Sequence, residues 1–195
     1  MRTETCKLRR LEDLTADLID SLIIGYTTPA IYAVSKEETP EHINFDLRLV
    51  PLEQPLSKGY PALTDETLED YRATARQGHT FGAFVEDTCV GLALCEAHTW
   101  NASLWVQEFH ISQAYQGQGI GRLLMERVIQ HAQEVGLRCV VCETQTTNVP
   151  AIGFYRALGF VLDGIDLSYY TNHDMERQEI AVFLKKKLGP QGQTR

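Results

Sequence analysis

Gln116-Gly117-Gln118-Gly119-Ile120-Gly121 lies between a strand-like run and the most regular helical pattern in the chain. Backbone amides at the start of a helix have no intrahelical partner, and the helix dipole adds partial positive charge there. Together they bind phosphate or pyrophosphate. Glycines at alternate positions let the chain turn tightly and let a ligand approach the backbone closely. The spacing is neither GxxxxGK[ST] nor GxGxxG, so neither a nucleotide-triphosphate loop nor a dinucleotide fold is indicated.

Working outward, Gly119 to Val135 reads as a helix. Its stripe is Ile120, Leu123, Leu124, Val128, Ala132 and Val135, and Gly136 supplies the stop. Upstream, His79–Val85 and Cys89–His98 read as a hairpin around Glu86-Asp87, and Ala102–Ile111 as a third strand. Downstream, Cys139–Glu143 is a short buried strand. Asn148 caps a helix with Pro150 in its first turn, ending at Gly159. Val161–Tyr169 and Glu179–Leu184 form a last strand pair.

The first third carries weaker signals. Cys6–Arg9 suits a short edge strand and Thr15–Tyr26 a helix presenting Leu18, Leu22 and Ile23. Ile43–Pro51 alternates like a strand. Thr64 reads as an N-cap, with Asp65 and Glu66 in the first turn and Leu63 stapling onto Leu68, for a helix ending near Gly78. The order indicates one α/β domain over residues 1–195, a mixed sheet with helices on both faces.

Composition narrows the function. The 195 residues, 44% of them hydrophobic, suit one sizeable core. Net charge is −8 with no basic face, which excludes a nucleic-acid binder and favours a cationic substrate. Lys185–Lys187 reads as the solvated end of a last strand. No apolar run is long enough for a membrane helix and no leader pattern is present, so a cytoplasmic protein with no membrane partner is expected. Five cysteines and no leader argue against a disulfide framework. Cys139 and Cys142 fall on opposite faces of a strand, and no cluster has metal-ligand spacing, so no metal is expected.

A second motif sharpens the loop. Asn148-Val-Pro-Ala151-Ile-Gly-Phe154-Tyr155-Arg-Ala-Leu158-Gly159-Phe160 follows the loop after one helix and one strand. With the loop's Q-x-x-G-x-G match, the chain from about His79 to Leu184 resembles the GNAT superfamily of acetyl-CoA-dependent acetyltransferases. The resemblance implies a V-shaped splay between two parallel central strands, Ala102–Ile111 and Cys139–Glu143, with acetyl-CoA in the cleft. The pyrophosphate is expected on the amides of Gln116, Gly117, Gln118, Gly119, Ile120, Gly121 and Arg122. The acetyl-pantetheine arm is expected along Phe109, His110 and Ile111, with Asn148 touching it. Tyr155 is the expected general acid toward the leaving thiolate. A phenol of pKa about 10 stays protonated at neutral pH and can donate a proton.

Glu108 lies in the strand that would carry the acetyl group. A carboxylate there can attract an ammonium and accept its proton. Strict alternation places Glu108 with Val106 and His110 on one face, and Gln107, Phe109 and Ile111 on the other; a bulge would change this. His110 is an alternative base. Glu143, ending the neighbouring parallel strand, is a candidate second acidic wall, and Asp166 a third acidic group. Trp105–Phe109, Glu143–Ala151, Phe160–Asp166 and Glu179–Phe183 resemble the streptothricin acetyltransferase branch, which implies a small cationic amine as acceptor. His110 departs from that branch, where a small or β-branched residue is expected. Acetylation of another amine (a polyamine, an amino acid, a protein N-terminus) and a non-catalytic acyl-CoA-binding module are the alternatives. A homodimer is compatible with either.

Overall fold

The computed structural model describes residues 6–189. The described residues divide into two compact units, 6–24 with Tyr60–Cys142 and 186–189, and Gly25–Gly59 with Glu143–Lys185.

The first unit holds β1 (Lys7–Arg10), α1 (Ala16–Leu22), α2 (Asp65–Thr74), β4 (Phe81–Val85), β5 (Thr88–His98), β6 (Ser103–Ile111), α3 (Ile120–Glu134) and the first part of β7 (Cys139–Gln145). Its strands lie in the order β1-β4-β5-β6-β7, antiparallel up to β6. The β6–β7 ladder is parallel and runs from Ser103↔Cys139 to Val106↔Cys142. It stops there, although β6 continues to Ile111. The hairpin turn works because Glu86 adopts φ 55°.

Helices cover both faces of these strands. Leu92 and Leu94 of β5 pack with Leu14, Ile19, Leu22 and Leu68, so α1 and α2 lie on that face. Leu63 packs against the same cluster, as the staple requires. Phe81, which pairs across the ladder with Ala93, meets the His131 ring of α3 on the other face. Thr15 and Thr64 cap α1 and α2 through their hydroxyls, which accept from Leu18 N and Thr67 N. One wide helical turn, Ala75–His79, follows α2 and is broken by Gly78 at φ 81°.

The stripe of α3 is shifted from the expected one. Leu124, Val128 and Ala132 are fully buried, but Leu123 and Val135 are each 47% exposed. Met125 and His131 take their places, because the buried arc drifts around the helix relative to the assumed repeat. In α1, Ile19 joins Leu22 as the buried pair and the helix stops at Leu22.

The second unit holds β2 (Tyr26–Thr39), β3 (His42–Lys58), α4 (Val149–Ala157), β8 (Val161–Asp166), α5 (Asp174–Arg177), β9 (Ala181–Lys187, to Lys185) and the end of β7. β2 was not anticipated, and β3 extends far beyond Ile43–Pro51. The two form a long antiparallel ribbon whose outer residues are largely exposed. A two-stranded ribbon is marginal alone, and fixed partners hold this one. The Gln178 side-chain amide accepts from Val34 N at 2.8 Å and donates to Val34 O at 3.3 Å, substituting for a strand backbone. Tyr32 N donates to Thr146 O at 3.0 Å, and Lys58 pairs with Glu179. β8 ends at Asp166 rather than Tyr169, and β9 starts at Ala181. Lys185 pairs with Asp163 at 3.4 Å, and Lys187 is exposed, as read for a strand end.

His131 of α3 carries a testable consequence. Its Nε2 lies 2.8 Å from His79 Nδ1, while its Nδ1 is buried without a hydrogen bond. Burial, then the neighbouring His79, Arg10 and Arg127, lower its pKa to about 4, against a weaker opposing effect of Glu134. The unfolded chain binds a proton near the ordinary value of 6.5, so between these values it holds more protons than the folded one. Stability is therefore full above the upper value and declines as pH falls toward the lower. The melting temperature should drop over that window, and His131→Phe should flatten the drop; an equal pH slope in the variant would refute the assignment.

Candidate active site

The parallel ladder ends at Val106, and β6 bulges at the next residue. Leu94 pairs with Glu108 while Cys95 pairs with Val106, leaving Gln107 as the extra residue. Paired residues share a face, so the bulge turns Glu108 and His110 to the Leu92/Leu94 side and leaves Val106 on the other. The expected grouping of Glu108 with Val106 is thereby corrected, and that with His110 stands. Phe109, paired with Ala93, faces the α3 side.

Both oxygens of Glu108 are engaged. Tyr71 of α2 donates its hydroxyl to Oε1 at 2.5 Å, and His110 Nε2 lies 2.6 Å from Oε2. Burial, then the charge of Glu108, raise the Tyr71 phenol pKa well above its ordinary value, so it remains a donor. The His110 ring meets Tyr60 edge-on at 5.6 Å. Glu108 borders a cavity of about 200 Å³ that Ile19, Asp20, Ile23, Tyr60, Leu63 and Tyr71 also line. One wall is apolar, one aromatic, and two carboxylates face it.

β6 is followed by a short turn, Gln113–Tyr115, and the glycine loop. Gly117 and Gly119 adopt φ 72° and 85°, and a Cβ at either would meet no atom within 4 Å. The glycines therefore serve the left-handed backbone and leave open space beside it. The Gln116 and Gln118 amides turn inward, donating to Ile111 O at 3.0 Å and Ala114 O at 2.9 Å. Gly119 is the N-cap of α3 and offers no side-chain cap; the first intrahelical bond is Leu123 N to Gly119 O. The amides of Ile120, Gly121 and Arg122 thus lie in the unsatisfied first turn of a 15-residue helix. That arrangement suits a pyrophosphate.

In the second unit, Asn148 is buried and its Oδ1 caps α4 by accepting from Ala151 N at 3.2 Å. Tyr155 lies on α4, 6% exposed, between the rings of Phe154 and Phe160. Glu143 accepts from the Tyr170 hydroxyl, and burial followed by the Glu143 charge raises that phenol's pKa well above its ordinary value. Asp166 is exposed at the end of β8, where it accepts from Ser168 N at 3.0 Å. Glu143 and Asp166 both act electrostatically on Tyr169, so they share one neighbourhood.

Among the described residues no group of His, Cys, Asp and Glu could hold a metal, and no helix is long and apolar enough to cross a membrane. Sequence reading missed Tyr60, Tyr71, Asp20 and Tyr170. For Tyr71 a signal existed: it follows Leu68 by three positions, on the buried face of α2. Its partner is 37 residues away in sequence, and nothing local points there.

Comparison with known proteins agrees with this geometry. The family model described as Acetyltransferase (GNAT) family matches residues 44–160. A streptothricin acetyltransferase of Streptomyces lavendulae is 30% identical over 168 residues, covering 85% of this chain and 87% of the relative. The crystal structure of nourseothricin acetyltransferase superposes with a TM-score of 0.73 at 27% identity, over 94% of this chain and 99% of that one. A structure from Bacillus anthracis str. Ames, in complex with acetyl coenzyme A, shares the fold at a TM-score of 0.70 and 21% identity, over 94% of this chain and 100% of that one. With a glycine loop opening a long helix, a bulged central strand and a family match over more than half its length, this chain belongs to the GNAT acetyltransferase family and is an acetyl-CoA-dependent N-acetyltransferase.

Proposed function

We propose that the acceptor is a primary amine of a small cationic, streptothricin-like antibiotic, so that the enzyme confers resistance by acetylating it. The observation that carries this reading is Glu108, bordering a cavity with aromatic and aliphatic walls in a chain of net charge −8. A carboxylate beside aromatic rings suits an alkylammonium. The names of the relatives point to the same acceptor class. Glu143 and Asp166, grouped around Tyr169, supply further negative charge for a substrate with several ammonium groups. The interleaved segments of the two units argue that residues 1–195 act as one domain.

The proposed residue roles follow the chemistry. Acetyl transfer forms one C–N bond, breaks one C–S bond and releases one proton overall. The ammonium loses a proton before its nitrogen lone pair attacks the thioester carbonyl, the adduct loses a second, and sulfur takes one up. Glu108 accepts the first proton, directly or through water. Tyr155 donates to the departing sulfur. The amides of Gln116 to Arg122 hold the pyrophosphate, the backbone of Phe109 to Ile111 aligns the acetyl arm, and Asn148 contacts that arm.

Three outcomes check this reading. Tyr155→Phe should lower kcat tenfold or more with unchanged CoA affinity, as loss of a general acid does; an undiminished kcat removes Tyr155 from the mechanism. Gly119→Val should weaken CoA binding about tenfold, since a left-handed β-branched residue costs about 1–2 kcal/mol and its side chain occupies the ligand's approach. Titration calorimetry reads it, and an unaffected Kd would sink the loop assignment. In an acetyl-CoA consumption assay across streptothricin, aminoglycosides, polyamines and short peptides, streptothricin should give the highest kcat/KM. A preference for peptides would overturn the acceptor assignment.

A further inference from the structure

A base that meets an ammonium must be ionised and aimed. A glutamate on a strand has three rotatable side-chain torsions, so its carboxylate is not aimed by the backbone. In this chain two groups hold it. Tyr71, projecting from α2, donates to Oε1, and His110, two residues along β6, engages Oε2. The Tyr71 contact crosses from a helix to a strand and therefore also ties α2 to the bulged end of β6. We propose that Tyr71 is a positioning residue for acetyl transfer: its hydroxyl orients the Glu108 carboxylate toward the α1–α2 cavity. The proposal rests on the reading of Glu108 as the acceptor-facing carboxylate.

Several observations converge on this role. Tyr71 and Glu108 both line the same cavity, so their contact is part of the wall a substrate would touch. A hydrogen bond donated to a carboxylate stabilises the anion, and one to a charged group is stronger than a neutral pair. The titratable groups around Glu108 are Tyr71 from α2, His110 from β6, Tyr60 before α2 and Asp20 from α1. The cavity volume of about 200 Å³ suits a single ammonium-bearing arm rather than a whole multi-ring antibiotic. Position is therefore decisive: a narrow arm brings its nitrogen to one place, and the carboxylate must already be there.

The test is the split between kcat and KM with streptothricin. Tyr71→Phe keeps the ring and removes only the donor. Its kcat should fall about tenfold, as when a general base is no longer held in place, with KM for streptothricin changed less than about twofold. Tyr71→Ala should raise KM as well, because the wall itself is removed. In a Glu108→Gln background Tyr71→Phe should cost nothing further. An unchanged kcat in Tyr71→Phe, or an equal loss in the Glu108→Gln background, makes Tyr71 purely structural and overturns the proposal. Glu108→Gln alone separates the two layers. If it retains wild-type kcat/KM, the reading of Glu108 fails and the Tyr71 proposal with it. If it loses activity with CoA binding intact, while Tyr71→Phe leaves kcat in place, only the Tyr71 proposal fails.

Discussion

One extra residue in β6 organises the site. Gln107 interrupts the alternation of a strand that pairs with β5 along its length and with β7 from Ser103 to Val106. The parallel ladder to β7 ends one residue earlier, at Val106↔Cys142. A regular β6 would place Glu108 beside Val106, on the α3 side of the sheet. The bulge instead delivers it to the face where α1 and α2 pack. The end of the ladder also leaves the last residues of β6 beyond its β7 pairs, in the stretch that resembles the acetyl-binding strand of the family. A single local irregularity thus sets the face that Glu108 meets and marks where the β7 ladder ends.

Rigidity around this irregularity comes from the central strands. Leu92, Ala93, Leu94 and Cys95 of β5 are all fully buried, with helices on either face. Such strands resist deformation because every side chain has packed neighbours. β6 can therefore carry a bulge and still pair with β5 on both sides of it, in a register shifted by one residue at Leu94↔Glu108. The glycine loop shows the complementary strategy. It has open space around Gly117 and Gly119 but is held from behind by the Gln116 and Gln118 amides bonding to the preceding backbone. The loop is fixed through its side chains, with open space beside its backbone at Gly117 and Gly119.

Polar groups follow a common pattern in both units. Each buried-side carboxylate of interest has a tyrosine hydroxyl on it: Tyr71 on Glu108, Tyr170 on Glu143. In each case burial and the neighbouring negative charge keep the phenol protonated, so it stays a donor. The long β2–β3 ribbon is held by Gln178 in place of a strand neighbour. Only Ile43–Pro51 of it was legible in the sequence, because most of the ribbon's residues are exposed and little of it separates a buried face from a solvent face.

What the amino-acid sequence determined alone was local and periodic. The caps at Thr15, Thr64 and Asn148, the hairpin at Glu86-Asp87, the helix after Gly119 and the two motifs are all written in spacings of a few residues. Short-range sterics and hydrogen bonding decide those features, and both are encoded next to where they act. Tertiary structure decided the rest. The bulge at Gln107 arises from the register between β5 and β6, which no run of residues in β6 announces. The α3 stripe exchanged Leu123 and Val135 for Met125 and His131 because the packing surface beneath it sets the buried arc. Tyr71 met Glu108, and Tyr170 met Glu143, across separations of 37 and 27 residues. Contacts at that distance depend on how elements pack, and the residues involved look locally like any tyrosine on a helix or loop.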